Sequence, residues 1–127
     1  MMVKEKECIS KALEDYLEAI YALSQKRPAV RITDIALYLG ISKPSVNRAV
    51  NSLKMRGYVF HEPYGDILLT EKGFSTGMSL RNRHKMIKRF LVNVLNLTAE
   101  DAEGEACRMS HNISQDTIDK MICFMEK

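Results

Sequence analysis

No stretch of about 18 apolar residues, the length needed to cross a bilayer, occurs in the 127-residue sequence. The start, Met1-Met2-Val3-Lys4-Glu5-Lys6-Glu7-Cys8, also lacks the apolar segment of a secretory signal. Both absences predict a cytosolic protein with no membrane partner. Cysteine is scarce: Cys8, Cys107 and Cys123 make an odd number in no disulfide-like spacing, which suits thiols in a reducing compartment. Low-complexity tracts and fixed-period repeats are missing, as expected of an ordinary globular chain that folds. So are His-Glu-x-x-His, a glycine-rich loop and a nucleophile motif, which argues against an enzyme, even one using Glu103 or Glu105 as a base.

What is present is an ordinary globular composition, 46% hydrophobic and 28% charged. That is enough for one good core, with room for two lobes but not for a third domain. The net charge of +3 hides an asymmetry. Residues 1–95 hold 16 Lys and Arg against 9 Asp and Glu, a balance of +7, whereas residues 96–127 hold 3 against 7, a balance of −4. A basic front of the chain suggests a polyanion partner.

From about Ser10 to Ser24, Leu13, Tyr16, Leu17, Ile20 and Tyr21 recur at the spacing of an amphipathic helix. The opposite face carries Ala12, Asp15, Glu18, Ala19 and Ala22. Small side chains admit a close neighbour, and two carboxylates three residues apart point the same way, so this reads as a face with a partner. Pro28 then breaks the helix. Beyond it, Ile32, Ile35, Leu39, Ile41, Val46 and Ala49, with the small Ala36 and the turn residue Gly40, fit a helix-turn-helix. Ser42 caps the second helix, Pro44 sits in its first turn, Val46, Ala49, Val50 and Leu53 form its buried stripe, and Gly57 stops it. Its outward residues, Lys43, Ser45, Asn47, Arg48 and Asn51, are types that read base edges or hold phosphates, and Ser42 and Pro44 stand beside them at the helix start.

Two β-rich runs follow, Tyr58 to Phe60 and Ile67 to Leu69, around the turn-forming Glu62-Pro63-Tyr64-Gly65-Asp66. A hairpin directly after a recognition helix is a wing, and Tyr64 at its tip is placed to touch the sugar-phosphate backbone. No role falls to His61. Thr70-Glu71-Lys72-Gly73 closes the wing and starts a long helix to about Leu95, with Phe74, Met78, Ile87, Phe90, Leu91 and Val94 on its inner face. Within the polar run Arg81-Asn82-Arg83-His84-Lys85, His84 by itself reads as an exposed histidine.

Thr98 caps another helix, with acidic residues in its first turn. At about 100° per residue, Glu103, Cys107, Ser110 and His111 share one narrow stripe, beside an apolar strip of Ala102, Ala106, Met109 and Ile113. Carboxylate, thiolate and imidazole at this spacing are metal-ligand types. A last helix begins near Ser114 and Asp116, with Ile118, Met121, Ile122 and Met125 on one face.

Taken together, Glu14-Asp15-Tyr16-Leu17-Glu18-Ala19-Ile20-Tyr21, Ser42-Lys43-Pro44-Ser45-Val46, Leu69-Thr70-Glu71-Lys72-Gly73, Arg83-His84 and Glu105-Ala106-Cys107-Arg108-Met109-Ser110-His111 resemble the diphtheria toxin repressor family of metal-dependent transcriptional repressors. The likeness runs from about Ile9 to Met125 and is to the short manganese-transport-regulator branch. It implies a mostly α fold with a small β-hairpin wing: a winged helix-turn-helix DNA-binding domain over 1–74, followed by a helical dimerisation and metal-binding domain over 75–127. It also implies metal ligands at Asp15, Glu18, His84, Cys107 and His111. Asp15 and Glu18 match the manganese branch, whereas Cys107 matches the iron-type branch. Ser110 departs from the family, which usually has Glu there; Glu103, one turn before Cys107, can compensate. Manganese(II) or iron(II) is the expected ion, with zinc(II), cobalt(II) or nickel(II) behind them. The implied function is a homodimeric repressor that binds operator DNA and controls metal uptake, with the metal as corepressor. The rival reading keeps the winged helix but switches it by a small molecule or by thiol oxidation at Cys107.

Overall fold

The computed structural model describes residues 9–127; Cys8 and the polar start of the chain lie outside them. The elements are α1 (Lys11–Ser24), α2 (Ile32–Leu39), α3 (Lys43–Met55), β1 (Val59–His61), β2 (Ile67–Leu69), α4 (Glu71–Asn93), α5 (Ala99–Met109) and α6 (Gln115–Met125). The chain forms two compact units that meet in sequence inside α4, one ending at Gly77 and the other running from Met78 to Lys127. Among the described residues no helix is long and apolar enough to cross a membrane.

In the first unit, the Ser10 hydroxyl accepts from the Leu13 amide and starts α1. Helix α1 packs on α2 and α3. Leu17 and Ile20 are buried, and so are Ala19 and Ala22 of the small-residue face, which has a neighbour at that end, whereas Ala12 and Asp15 are exposed. Gly40 ends α2 in the left-handed conformation, φ 68°, which turns the chain so that the Ile41 amide joins that of Gly40 (2.9 Å) in donating to the Ala36 carbonyl, at 3.1 Å. The Ser42 hydroxyl then caps α3, whose Val46, Ala49, Val50 and Leu53 are buried as the spacing requires.

The wing pairs β1 with β2 antiparallel, Val59 opposite Leu69 and Phe60 opposite Leu68. Val59 and Ile67 point inward and Phe60 and Leu68 outward. Val30 adds an isolated bridge to Ile67, whose amide donates to the Val30 carbonyl at 2.7 Å. The first strand starts one residue later than the sequence suggests. The Tyr58 carbonyl is spent on the start of α4 rather than on the ladder, accepting from the Thr70 amide at 3.0 Å and the Thr70 hydroxyl at 3.1 Å.

Helix α4 buries Ile87 and Leu91 of the expected inner face but departs from it in its first half. Phe74 and Met78 are exposed, and the buried positions are Gly73, Gly77, Leu80, His84, Ile87 and Leu91. Glycine has no hydropathy to read, yet both glycines are close approaches. A Cβ at Gly73 would stand 1.9 Å from the Tyr58 carbonyl oxygen, and one at Gly77 would stand 2.8 Å from Tyr21 Cβ. His84, expected at the surface, is 6% exposed.

In the second unit, Ile87, Leu91, Ala102, Ala106 and Ile118 form the core, with Met109, Ile113, Met121 and Ile122 packed against it. Complete burial of a residue such as Ile87 or Ile118 contributes about 1.5–3 kcal/mol. Thr98 caps α5 and Ser114 caps α6 through their hydroxyls. Helix α5 is regular to Met109; Ser110, its C-cap, keeps right-handed helical angles, and His111 lies in the turn beyond. Arg83 fastens the turn that follows, its guanidinium donating to the carbonyls of Ser110 (2.8 Å) and Ile113 and to Gln115 Oε1 (3.3 Å).

Candidate metal centre and nucleic-acid interface

His84 shares its helix face with Leu80, Ile87 and Leu91, which is why an imidazole in a polar run ends up inside. Glu103 and Cys107, four residues apart on α5, present their side chains to it. His84 Nε2 lies 3.1 Å from Glu103 Oε2 and 3.5 Å from Cys107 Sγ, and Cys107 Sγ lies 3.9 Å from Glu103 Oε2. Among the described residues these three are the group of His, Cys, Asp and Glu donors that lie within 4.8 Å of one another.

The donors fit a divalent ion. Metal–nitrogen and metal–oxygen bonds of about 2.0–2.2 Å and a metal–sulfur bond of about 2.3 Å put tetrahedrally arranged donors about 3.3–3.6 Å apart, close to the triangle already present. Burial alone would raise the pKa of Glu103. The hydrogen bond from Lys88 and the charges of His84, Lys88 and Arg81 outweigh that and hold the carboxyl below its ordinary range. The carboxylate is therefore in its ligating, charged form at neutral pH. Lys88 Nζ sits 3.1 Å from its other oxygen, Oε1.

The remaining candidates are placed differently. Ser110 is buried and its hydroxyl donates to the Cys107 carbonyl at 3.5 Å, so it faces the backbone of its own helix. His111 lies past the end of α5, in the turn toward α6, outside the three-donor group. Asp15, exposed, and Glu18, half-buried, stand on α1 in the first unit. Lys88 was not singled out from sequence; its place one turn after His84 was the available signal.

In the first unit, Lys43, Asn47 and Arg48 and then Asn51 lie exposed along α3. The Ser42 hydroxyl donates to Ser45 Oγ at 3.0 Å while accepting from the Ser45 amide at 3.3 Å, and Arg48 donates to Ser45 Oγ at 3.3 Å. These serines thus set the helix start and the arginine's rotamer, with Pro44 fixing the first turn. A cleft between α3 and the wing is lined by Lys43, Asn47, Asn51, Lys54, Arg31 and Tyr64. Arg31 and Lys54 escaped the sequence reading, although Lys54 continues the helical spacing of Lys43, Asn47 and Asn51. Arg31 reaches across to the wing, donating to Asp66 Oδ1 at 3.2 Å and to the Tyr64 carbonyl at 3.4 Å. Lys54 donates to the His61 carbonyl at 2.8 Å.

Tyr64 itself is 98% exposed. It occupies the third place of the turn closed by the Gly65 amide on the Glu62 carbonyl at 2.8 Å, and its φ of 60° is one that glycine adopts with less strain. A large aromatic held there at a conformational cost of order 1 kcal/mol is consistent with a contact beyond the chain.

Comparison with known proteins follows the same division. Residues 9–67 match the family model described as the iron-dependent repressor N-terminal DNA-binding domain, and residues 70–127 match the one described as its metal-binding and dimerisation domain. An HTH-type transcriptional regulator of Methanocaldococcus jannaschii is 38% identical over 120 residues, covering 94% of this chain and 96% of its own length. The HTH-type transcriptional regulator MntR of Bacillus subtilis is 31% identical over 110 residues, covering 87% of this chain and 77% of its own. Among solved structures, the manganese regulator SloR superposes with a TM-score of 0.79 at 32% identity, over 90% of this chain and 53% of that one. The chain thus spans about half the length of that regulator.

Proposed function

Because the chain belongs to the iron-dependent repressor family of metal-dependent, DNA-binding transcriptional regulators, which are not enzymes, we propose that it represses metal-uptake genes as a homodimer on operator DNA when a divalent ion is held by His84, Glu103 and Cys107. The observation that carries this reading is the nitrogen, oxygen and sulfur triangle of the second unit in a chain whose first unit is a winged helix-turn-helix. The family resemblance adds Asp15, Glu18 and His111 as further donors. Manganese(II) and iron(II) are the leading ions, with zinc(II), cobalt(II) and nickel(II) behind them because Cys107 offers sulfur. A DNA partner and a Cys107 thiol outside any disulfide support the reading that it works in the cytoplasm.

An ion alters DNA affinity only in so far as it binds one arrangement of the protein more tightly than another. In a dimer the useful arrangement sets two recognition helices about 34 Å apart, or a multiple of it. The test is fluorescence anisotropy with a palindromic duplex selected from random sequence in manganese(II). Binding is expected with manganese(II) or iron(II) and lost in excess chelator; equal binding in both would refute the proposal.

On the DNA side we assign Asn47, Arg48 and Asn51 to base edges and Lys43 to phosphate, with Ser42, Pro44 and Ser45 shaping the helix start between them. Asn51→Ala is expected to cost about 1–3 kcal/mol on the selected sequence and to relax preference at one base pair. Lys43→Ala should instead weaken all sequences alike and reduce the magnitude of the salt-dependence slope by about 1. Salt titrations on specific and scrambled duplexes separate the two. Tyr64→Gly should raise hairpin stability by up to about 1 kcal/mol while weakening DNA binding, as read by thermal melting and anisotropy on the same sample.

A further inference from the structure

We propose that Lys88 is a tethered competitor of the metal ion: its ammonium occupies Glu103 in the metal-free protein and so raises the ion concentration at which the site fills. The proposal rests on the reading that His84, Glu103 and Cys107 hold the ion. Lys88 follows His84 by one turn of α4, so both side chains reach α5 from one helix face. Each takes a different oxygen of the same carboxylate, His84 Nε2 at 3.1 Å from Oε2 and Lys88 Nζ at 3.1 Å from Oε1.

Two physical effects follow. An ion bound through Oε2 meets a carboxylate whose charge is already shared with an ammonium, and it cannot take both oxygens while Lys88 holds one. The ammonium also adds a positive charge within one carboxylate's breadth of the ion, where the surrounding protein screens it less than bulk water does. With Glu103 and a Cys107 thiolate each contributing −1, Lys88 cuts the net charge offered to the ion from −2 to −1. A site that must release its ion when supply falls gains by this, since the displacing charge is built in. The ammonium side chain is 37% exposed and the carboxylate 49%, so on metal binding the lysine can swing into water without unpacking the core.

The test is cobalt(II) titration of the full chain, following the absorption that a cobalt–thiolate bond produces. Lys88→Met, which keeps the apolar stem and removes the charge, is expected to bind cobalt(II) about tenfold more tightly. The charge-conserving Lys88→Arg should stay near the parent, and the gain from Lys88→Met should vanish in a Glu103→Gln background. An unchanged or weaker affinity in Lys88→Met, with the thiolate absorption intact, overturns the proposal alone and makes Lys88 a brace for Glu103. A parent spectrum without thiolate character, or one that Cys107→Ser leaves unaltered, removes the metal site and this proposal with it.

Discussion

Alanine at Gly73 is expected to destabilise the protein by about 3 kcal/mol or more, an unusually large effect for adding one methyl group. The new carbon would lie 1.9 Å from the Tyr58 carbonyl oxygen and 2.9 Å from its carbon, with Leu69 Cδ2 at 3.2 Å on the other side. No side-chain rotation relieves a clash with backbone. Moving the Tyr58 carbonyl away would also break its bonds from the Thr70 amide and hydroxyl, which join the wing to the start of α4, and would disturb Lys72 over the Tyr58 ring at 4.4 Å. Gly104 is the matched control. Its added carbon meets only the Arg108 guanidinium, at 3.7 Å, in the middle of α5, so Gly104→Ala should stabilise by about 0.5–1 kcal/mol. Urea unfolding of both variants checks the pair; a Gly73→Ala protein within about 1 kcal/mol of the parent would show that the helix does not meet the Tyr58 carbonyl this closely.

His84→Gln should abolish the response of DNA binding to manganese(II) or iron(II) while leaving the protein folded. Gln keeps most of the volume and a polar end in a site that is 6% exposed, so the loss would be of ligation rather than packing. Removing even a partner of a metal ligand costs about 10–100-fold in affinity, and removing a ligand itself should cost about 100-fold or more on that scale. Calorimetric metal titration and anisotropy with and without the ion measure the two consequences. A switch working by thiol oxidation would behave otherwise: Cys107→Ser would silence it and His84→Gln would not. Full metal response in His84→Gln would move the ion to other donors, such as Asp15, Glu18 or His111.

Much of the fold is legible because it is written in local chemistry. Ser42, Thr98 and Ser114 act as helix caps where their spacing to the following amides says they should, and Gly40 takes the left-handed turn between the helices. The inner face of α4 is legible by hydropathy at Ile87 and Leu91 but not in its first half or at its centre. Its closest contacts are made by glycines, and its central buried residue, His84, sits among Arg and Lys. The resemblance to a family of repressors pointed to His84 where periodicity pointed away from it. The stripe from Glu103 to His111 assumed that α5 runs on. It holds for Glu103 and Cys107, while Ser110 becomes the C-cap and His111 falls in the turn that the Arg83 guanidinium fastens. Lys88 went unnoticed since its one signal, a place one turn after His84, gains meaning only once the carboxylate that it meets is known.

Cys107 places sulfur at one corner of the triangle, with consequences for the physiology of the cell. Donor faces of mixed nitrogen, oxygen and sulfur bind first-row divalent ions in a general order that puts manganese and iron at the weak end and copper and zinc at the strong end. A repressor reading such a face depends on homeostasis elsewhere to keep the stronger binders scarce. If the triangle holds the ion as proposed, zinc or copper overload would fill it in place of the sensed metal, and would repress falsely to the extent that the filled site favours the DNA-binding arrangement.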